Sequence, residues 1–522
     1  MKRCVACCAA TLAVLPAGAQ ATGFTDIGQD IRAHQEPSLE LHGAMRVRAE
    51  GLYNLDLDRG LGPSGRPLFP VPASDPTSQW LSHADLRLRT DLTFYAPGAA
   101  VAIKIRLDAL DNVGLGSLPD GPPAATSSQR SPDGALRIKR AYGEALTPVG
   151  VLVAGRTGSH WGLGMLANGG DCADCDSGDS ADRFAFLTPV VGHIFALAYD
   201  LSATGPYVNR RVPTRTIDLD PADDARTITF ALLRYRSDVS IDRRRLAGKW
   251  TIDYGAYVSH RWQDRDVPAS YLPVAPPGPA TQVSMARGLR ATALDGWLRV
   301  VGPGARIELE LAAILGGIDQ PSLVPGVLLS KPVETRQIGA ALESELGAPE
   351  HALGGGLDAG FASGDPAPGF GAFPEAAARP PQAGDLDGAQ TIPPRDARVD
   401  NFRFHPDYRV DRILWREIVG TVTDAIYVRP HIRARLARTE VGTLSASLAA
   451  VASFAVEERS TPGGQRPLGV ELDPTVVYQS RDGLSAAIEH AVLFPLAGLD
   501  NPPMRLGARP AQLIRVRLVY AF

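Results

Sequence analysis

The 522-residue sequence is poor in several residue classes, and each shortage excludes a class of protein. Cysteine occurs five times, and beyond residue 8 it occurs only as Cys172 and Cys175, so the chain is not a disulfide-stapled scaffold. The formal net charge is only -4, which argues against a nucleic-acid binder, because such proteins carry a strongly basic surface. After the first twenty residues, no apolar run approaches the roughly 18 residues of a membrane-spanning helix. The composition alone therefore suggests an ordinary soluble protein.

The first nineteen residues form a predicted secretory signal peptide. A basic start at Lys2 and Arg3 precedes an apolar stretch over residues 4–15, and Ala17-Gly18-Ala19 matches a small-x-small cleavage site. We expect cleavage after Ala19, or as late as residue 21, which leaves residues 22–37 as a periplasmic N-terminal segment. Cleavage also removes the first three cysteines.

The remaining sequence alternates between apolar and polar residues over unusually long stretches. In residues 39–57 the odd positions are apolar or small, whereas the even positions include Arg46 and Arg48. A period of two places the two sets on opposite faces of a strand. A half-buried strand of a soluble protein usually keeps this pattern for only about 4–8 residues. The same alternation recurs in residues 85–94, 101–108, 306–313 and 444–456.

The polar faces of these strands carry full charges of both signs. In a large barrel, such residues can line a water-filled lumen while the apolar face meets lipid. Backbone groups in hydrocarbon must be bonded internally, so a sheet in the membrane closes on itself. A soluble β-sandwich, β-helix or propeller is the alternative, but those folds rarely need so many strands of ten or more residues. We predict an all-β fold, a transmembrane antiparallel β-barrel over residues 38–522 with about 18 strands, or 16.

The connections between the predicted strands alternate in length. Every second one is short, as at Pro97-Gly98, Pro148 and Arg481-Asp482, except for a basic turn over residues 237–247. The others are long and rich in Gly, Pro, Asp and Ser. Outer-membrane barrels have short periplasmic turns and long outer loops. An even number of strands then places both termini in the periplasm.

The last strand carries the most specific pattern. Every second residue from Ile514 to Phe522 is apolar, Arg515 and Arg517 lie on the other face, and the chain ends Tyr520-Ala521-Phe522. This ending resembles the C-terminal β-signal of bacterial outer-membrane proteins. The resemblance implies recognition of Tyr520 and Phe522 by the barrel-assembly machinery. It also implies a location among the lipids of a Gram-negative outer membrane.

Several internal motifs resemble porin-like and alginate-export-type barrels. They are Leu152 to Arg156, His160 to Gly164, Gly360 to Asp365, and Val470 to Asp473 with the following Tyr478. The resemblance implies a passive outer-membrane channel or, as an alternative, a substrate-specific exporter of the polysaccharide type. A polysaccharide exporter would have a strongly basic lumen, whereas the charge here is mixed.

The connection over residues 158–182 is acidic and contains the two remaining cysteines. The predicted topology places it on the outer face, where Cys172 and Cys175 are expected to form a small disulfide that stiffens the loop tip. Its carboxylates, Asp174, Asp176, Asp179 and Asp182, are hard oxygen ligands that suit calcium. The spacing differs from that of an EF-hand, and a plainly solvated acidic loop is the alternative. We expect no other cofactor.

The longest connection, residues 364–428, contains a segment with helical spacing: Ile413, Leu414, Ile418 and Val422. A long loop with internal structure is usually functional. We expect it either to fold into the barrel and set the constriction or to pack as a lid over the outer rim. Its charged residues in either case are Arg409, Asp411, Arg412, Arg416 and Glu417.

The sequence predicts a passive channel for small polar or anionic solutes, because charge along a lumen sets selectivity. An excess of arginine in the N-terminal strands favours anionic or sugar-acid solutes. The alternative is a surface-binding or adhesive barrel with a plugged pore. The residues predicted to line the lumen are Arg46, Arg48, Asp85, Arg87, Arg89, Asp91, Lys104, Arg106, Asp108, Glu308, Glu310, Arg515 and Arg517.

No catalytic activity is expected. Ser159-His160 and His490 are the only suggestive residues, and no G-x-S-x-G motif surrounds a serine.

Overall fold

The computed structural model describes residues 24, 27–28, 36–75, 77–98, 100–116, 136–203, 207–209, 216–218, 221–266, 285–321, 331–367, 369–370, 382–386 and 396–522. The predicted signal peptide lies outside these residues. Eighteen antiparallel strands form one sheet, in which the first strand pairs with both the second and the last. This closure confirms the predicted barrel and its number of strands.

The strands in chain order are β1 (Ser38–Tyr53), β2 (Trp80–Tyr95), β3 (Val101–Gly114), β4 (Leu136–Thr147), β5 (Gly150–Gly158), β6 (Ser180–Val190), β7 (His193–Ala203), β8 (Tyr207–Asn209), β9 (Thr216–Asp218), β10 (Ala225–Arg234), β11 (Thr251–Asp266), β12 (Met285–Val301), β13 (Ala305–Ile318), β14 (Val333–Leu346), β15 (Leu353–Ala362), β16 (Ala425–Arg438), β17 (Gly442–Ala455), β18 (Pro467–Ser480), β19 (Leu484–Pro495) and β20 (Ala511–Ala521). The short strands β8 and β9 pair only with each other, as a hairpin between the barrel strands β7 and β10.

Within the described ranges, helical structure lies in the connections between strands. One α-helix, α1 (Asp238–Leu246), forms the basic turn between β10 and β11, and a π-helix spans Leu414–Ile418. Single 3₁₀ turns occupy Glu458–Ser460, Ala497–Leu499 and Pro502–Met504. Across the described part of the chain, none of the helices combines the length and apolar character needed to cross a membrane.

The two faces of the barrel differ as the alternation predicts. On β1, Leu39 and Leu41 point outward and are 66% and 54% exposed, whereas Arg46 and Arg48 point inward and are 1% and 6% exposed. On β20, Ile514 and Val516 are exposed between inward-facing arginines. An apolar outer surface around a charged interior is the arrangement of a barrel whose outside meets lipid. The short turns gather at the end that holds Ser38 and Phe522, and the long loops gather at the other end.

Candidate pore constriction

The charged residues predicted to line the lumen face the interior, and several of them pair across neighbouring strands. Arg46 and Arg48 of β1 donate to the two oxygens of Asp85 on β2, at 3.0 and 2.7 Å. Arg89 of β2 donates two bonds of 2.8 Å to Asp108 on β3. A buried charge is tolerated when it is paired and hydrogen-bonded. These pairs keep a charged inner wall stable within the barrel.

The other predicted residues extend this pattern around the wall. Arg106 binds both oxygens of Asp91 at 2.6 and 2.9 Å, and Lys104 lies 3.2 Å from Glu144. Arg515 of β20 pairs with Glu50 of β1 across the seam of the barrel, and Arg517 of β20 donates to Glu489 on the neighbouring β19 at 2.9 Å. On β13, Glu308 accepts a bond of 2.7 Å from the Trp297 indole and another from Arg306.

The loop over residues 159–179, between β5 and β6, folds into the barrel, so its expected position on the outer face is wrong. Arginines of the wall donate to its backbone carbonyls: Arg140 to Gly169 at 2.7 Å, Arg89 to Gly170 at 2.6 Å, and Arg87 and Arg46 to Cys175 at 2.5 and 3.2 Å. A guanidinium has five donors in a fixed fork, so it can hold a wall carboxylate and a loop carbonyl together. The arginine excess of the N-terminal strands therefore anchors this loop.

The first turn of the same loop is anchored by a carboxylate. Glu310 of β13 accepts the backbone N–H groups of Leu163, Met165 and Leu166 at 2.5, 3.4 and 3.3 Å. Gly164 adopts the left-handed region with φ of 79°, and a Cβ there would lie 2.5 Å from the side-chain amide nitrogen of Asn168. The motif that resembled porin-like barrels thus forms a tight turn bound to the wall.

The tip of this loop is closed by a disulfide between Cys172 and Cys175, whose Cα atoms lie 5.1 Å apart. Asp174 and Asp176 lie at the tip and point into a group of arginines. Arg48 contacts both carboxylates, at 3.3 Å from Asp174 and 3.0 Å from Asp176. Arg416 contacts both as well, from the other large loop.

The four carboxylates predicted as calcium ligands are not gathered at one point. Asp174 and Asp176 pair with arginines, whereas Asp179 accepts the N–H of Asn168 at 3.2 Å. Asp182 lies on β6 and forms an exposed pair with Arg156 at 2.7 Å. In the described ranges, the carboxylates close enough to share one ion belong to another loop: Asp218, Asp223 and Asp224.

The longest described stretch of the long connection, residues 396–424, also lies inside the barrel and packs against residues of its inner wall. The residues at helical spacing are buried, and Ile413, Leu414 and Ile418 are each no more than 1% exposed. The expected helix is reduced to the short π-helix because the segment is fixed by contacts with the wall and with the other loop.

A carboxylate of the barrel wall caps the start of this helical turn. Glu471 of β18 accepts the N–H groups of Arg412 and Ile413 at 2.8 Å each and that of Leu414 at 3.1 Å. Asp411 accepts the next two N–H groups, from Trp415 and Arg416, at 3.0 and 3.2 Å. The free donors at the start of a helix are thus satisfied by two buried carboxyl groups.

The two loops form a single body, which we call the plug (residues 159–179 and 396–424). The N–H of His405 donates to the carbonyl of Met165 at 2.7 Å, and Asp407 accepts the N–H groups of Asp176 and Ser177 at 2.8 and 3.0 Å. An apolar cluster inside the barrel joins both loops to the wall; it includes Met165, Phe402, Phe404, Ile413, Trp415, Tyr427 and Val451.

The charges of the plug titrate differently at its two ends. Burial alone would raise the pKa of Asp174 and of Asp176, but neighbouring arginines hold the pKa of Asp174 well below its ordinary value and lower that of Asp176 to about 2. At the helical turn, burial and the nearby Asp473 raise the pKa of Asp411 to about 8. The tip therefore carries two firm negative charges at neutral pH, and Asp411 is largely neutral.

One small polar cavity lies between the plug and the wall. It has a volume of about 10 Å³ and is lined by Arg89, Arg106, Lys139, Arg140, Gly169 and residues 177–180. This volume suits roughly one water molecule.

The residues considered for catalysis, Ser159, His160 and His490, take part in the structure of the loop and the barrel wall. His160 is 7% exposed, and its Nδ1 accepts the N–H of Gly169 at 3.3 Å. Burial lowers the pKa of His160, so this acceptor role suits a neutral imidazole. The backbone N–H of Ser159 donates to the Asp179 carbonyl at 3.0 Å. His490 lies on β19 and pairs in register with Ile514, far along the chain from Ser159.

Several residues of the constriction were missed from the sequence. Arg140 and Glu144 of β4 face inward, but the register between β3 and β4 shifts after the exposed Ile138, so a strict period of two would have placed them on the outer face. Glu471 and Glu489 lie on later strands, where they alternate with exposed apolar residues and could have been found from that alternation. Asp407 could not be found from the alternation, because it lies in an irregular loop and its role is to accept bonds from backbone N–H groups of the other loop.

Part of the expected periplasmic segment 22–37 lies within the barrel. Phe24 is 6% exposed, and the Arg183 guanidinium lies 5.2 Å from the centre of its ring. The N–H of Gly28 donates to Glu144 at 3.2 Å. Both partners face inward, so these residues occupy the lumen side of β4 and β6.

No protein-family model matches the sequence, and neither does any curated protein. Among solved structures, the chain is similar to Pseudomonas aeruginosa OccK11 (OpdR) at 11% identity and a TM-score of 0.46, over 94% of this chain and 98% of that chain. A BenF-like porin from Pseudomonas fluorescens Pf-5 aligns at 8% identity and a TM-score of 0.44, over 93% and 98%. The outer membrane channel DcaP of Acinetobacter baumannii aligns at 10% identity and a TM-score of 0.36, over 94% and 100%. By its own geometry, this chain is a closed barrel of 18 antiparallel strands with an apolar outer surface and two loops folded into its lumen.

Proposed function

We propose that the protein is a passive outer-membrane channel for small polar or anionic solutes. The observation that carries the proposal is the charged wall facing an in-folded plug. Arg46 and Arg48 on one side and Arg409 and Arg416 on the other converge on the same two carboxylates. A solute that passes between wall and plug meets guanidinium groups from both sides. Such an arrangement favours anions, because the charge along the lumen sets selectivity.

Planar-bilayer recording of the purified, refolded barrel tests this function. We expect discrete current steps and a reversal potential, in a salt gradient, that indicates preference for anions. Exchanging both signs along one pair, as in Arg517→Glu with Glu489→Arg, should preserve the pair and shift the preference less than Arg517→Glu alone. Folded protein that gives no current would contradict the channel.

A plugged, surface-binding barrel is the second candidate, and a specific observation favours it. The apolar cluster in the lumen buries Phe402, Phe404 and Trp415 to 2% exposure or less, as in the core of a soluble domain. If this is the function, bilayers that contain the intact folded protein give no current. Removal of residues 396–424 would then create current that the intact chain lacks.

We also propose that the C-terminal strand carries the assembly signal. Tyr520 and Phe522 are 48% and 45% exposed, and their rings stack with centres 6.4 Å apart. Phe522 and Gly43 exchange two backbone bonds of 3.0 Å at the seam of the barrel. Phe522→Ala is expected to reduce the amount of folded protein in the outer membrane of cells, whereas refolding in detergent with no machinery present should change little.

A further inference from the structure

We propose that Asp174 and Asp176 are a tethered counterion that occupies a binding site for a compact dianion, and that a solute dianion enters the site by replacing them. The proposal rests on the channel function and adds a site and a competitor to it. The ligand is defined by its chemistry: two negative charges close enough to share the same guanidinium groups, as in a short dicarboxylate.

The first support is the number of cations that converge on two adjacent side chains. The arginines within 4.0 Å of one or both carboxylates are Arg46, Arg48, Arg409, Arg416, Arg515 and Arg517. They come from β1, from β20 and from the plug, so three separate parts of the chain form the site. Arg48 and Arg416 each contact both carboxylates, which places the two negative charges side by side.

The second support is the charge that remains without the two aspartates. Arg87 also reaches the tip, through the carbonyl of Cys175 at 2.5 Å, and no carboxylate is among its contacts within the described residues. Apart from Asp174 and Asp176, these seven arginines contact five carboxylates: Glu50, Asp85, Asp407, Glu417 and Glu489. An arginine site with two excess positive charges requires two negative charges from elsewhere. A dianion supplies that number.

The third support is accessibility. The side chains of Asp176 and Asp174 are 27% and 18% exposed, whereas those of Arg46, Arg416 and Arg515 are 1%, 5% and 1% exposed. Arg409 and Arg517 are 20% and 18% exposed, so the site opens to solvent at the two aspartates and at these two arginines, and the three most buried arginines form its floor.

The disulfide explains how the tethered counterion is presented. Cys172 and Cys175 bracket Asp174, and the N–H of Cys175 donates to the carbonyl of Cys172 at 3.2 Å across the turn. A closed turn of this kind limits the conformations open to the two aspartates. The aspartates therefore compete with a solute at a high local concentration, as any tethered ligand does.

Calorimetric titration of the folded barrel in detergent with succinate, compared with acetate, tests the site without requiring current. In Asp174→Asn/Asp176→Asn, which keeps the shape of both side chains, succinate should bind roughly tenfold more tightly, as for one close charge pair of about 1.4 kcal/mol. The affinity for acetate should increase less than the affinity for succinate. Asp182→Asn is the matched control, because among the described residues this carboxylate has its ion pair with the exposed Arg156, away from the tip. The succinate affinity of this variant should equal that of the native chain.

The single variant Asp176→Asn covers the case in which the double variant does not fold, as judged by the heat-dependent mobility of the barrel on gels. It should show the same direction with a smaller change. Unchanged succinate affinity in a folded Asp176→Asn or double variant overturns the tethered counterion. Tighter binding of succinate without any channel current supports the site and contradicts the channel function. Channel current together with unchanged succinate affinity in the variants supports the channel function and contradicts the binding site.

Discussion

The two ends of the plug are anchored by opposite chemistry. The disulfide tip (residues 169–176) is held by arginines that donate to its carbonyls and carboxylates, as Arg87 does to Cys175. The helical turn (residues 411–418) is held by carboxylates that accept its N–H groups, as Glu471 does from Ile413. A guanidinium group has more donors than one partner uses, so an arginine that holds the tip can also bind a carboxylate of the wall, as Arg46 does. A carboxylate has two oxygens, and at the helical turn both are already occupied.

The comparison teaches where the plug is fixed and where it can exchange partners. Several arginines hold the tip, and the loss of one leaves others in place. The helical turn depends on Glu471 and Asp411, whose loss leaves buried N–H groups without acceptors. We therefore expect the turn to be the rigid end of the plug and the tip to be the adjustable end.

The largest effect should follow Glu471→Ala. Three backbone N–H groups lose their acceptor in a buried place, at a cost of about 1–3 kcal/mol each before relaxation. Limited proteolysis should then cleave the chain within residues 396–424 while the barrel itself stays folded. Glu471→Gln, which retains one carbonyl acceptor, is the control and should be cleaved more slowly. Equal protection of all three proteins would show that the helical turn is not anchored there.

Opening the disulfide should have the next largest effect. In the chain-entropy view, closing so short a loop contributes roughly 2 kcal/mol. Dithiothreitol, or Cys172→Ser/Cys175→Ser, should increase hydrogen exchange in residues 169–176 and leave residues 411–418 protected. Loss of protection at both ends together would mean that the plug responds as one rigid unit, which would contradict the distinction drawn between its ends.

Raising the pH should loosen the helical turn selectively. Asp411 has a raised pKa of about 8, so its contribution to stability is greatest below about 4, the pKa of an unfolded aspartate. The contribution is lost as the pH rises to about 8, by at most about 1.4 kcal/mol per pH unit. Asp176, with its pKa lowered to about 2, changes in the opposite sense and only below about pH 4. Proteolysis of residues 396–424 should therefore increase between pH 6 and 8.

Asp411→Asn is the control for the pH effect. Its side-chain oxygen can still accept the N–H of Trp415, but it does not titrate. The variant should show the same proteolysis at pH 6 and at pH 8. A persisting pH dependence would assign the effect to another group.

Arg87→Gln should have the smallest effect, about 1 kcal/mol, because Arg46 still donates to the same carbonyl of Cys175. Hydrogen exchange of residues 169–176 should rise slightly, and the barrel should melt as before. A change as large as that of Glu471→Ala would show that the tip, too, depends on a single anchor.

Most of the barrel could be predicted from the sequence because a strand has a period of two. The alternation that exposes Leu39 and buries Arg46 follows from local geometry, and it recurs on other strands except where the register shifts, as on β4 after Ile138. The C-terminal pattern ending at Phe522 follows the same rule. The predicted number of eighteen strands came from counting the alternating stretches between successive turns.

The constriction could be predicted only in part. The arginines of β1 and β2 and their partners on neighbouring strands were identified, but the contacts with the plug were not, since Arg46 and Asp176 are 130 residues apart and Arg416 and Asp174 are 242 apart. The loop containing Asp174 has no periodicity that indicates which way it folds. Its acidic residues suggested an outer, solvated position or a calcium site, because the sequence could not show that arginines would neutralise them.

The sequence by itself determined the class of the protein: a closed barrel with an apolar outside, a charged inside and alternating short and long connections. These features depend on residues within a few positions of one another. The tertiary structure alone decided that two loops enter the lumen and that wall arginines bind their carbonyls and carboxylates. Such contacts join residues far apart in the chain, and they form only once the closed wall brings its inward charges within reach of the loops.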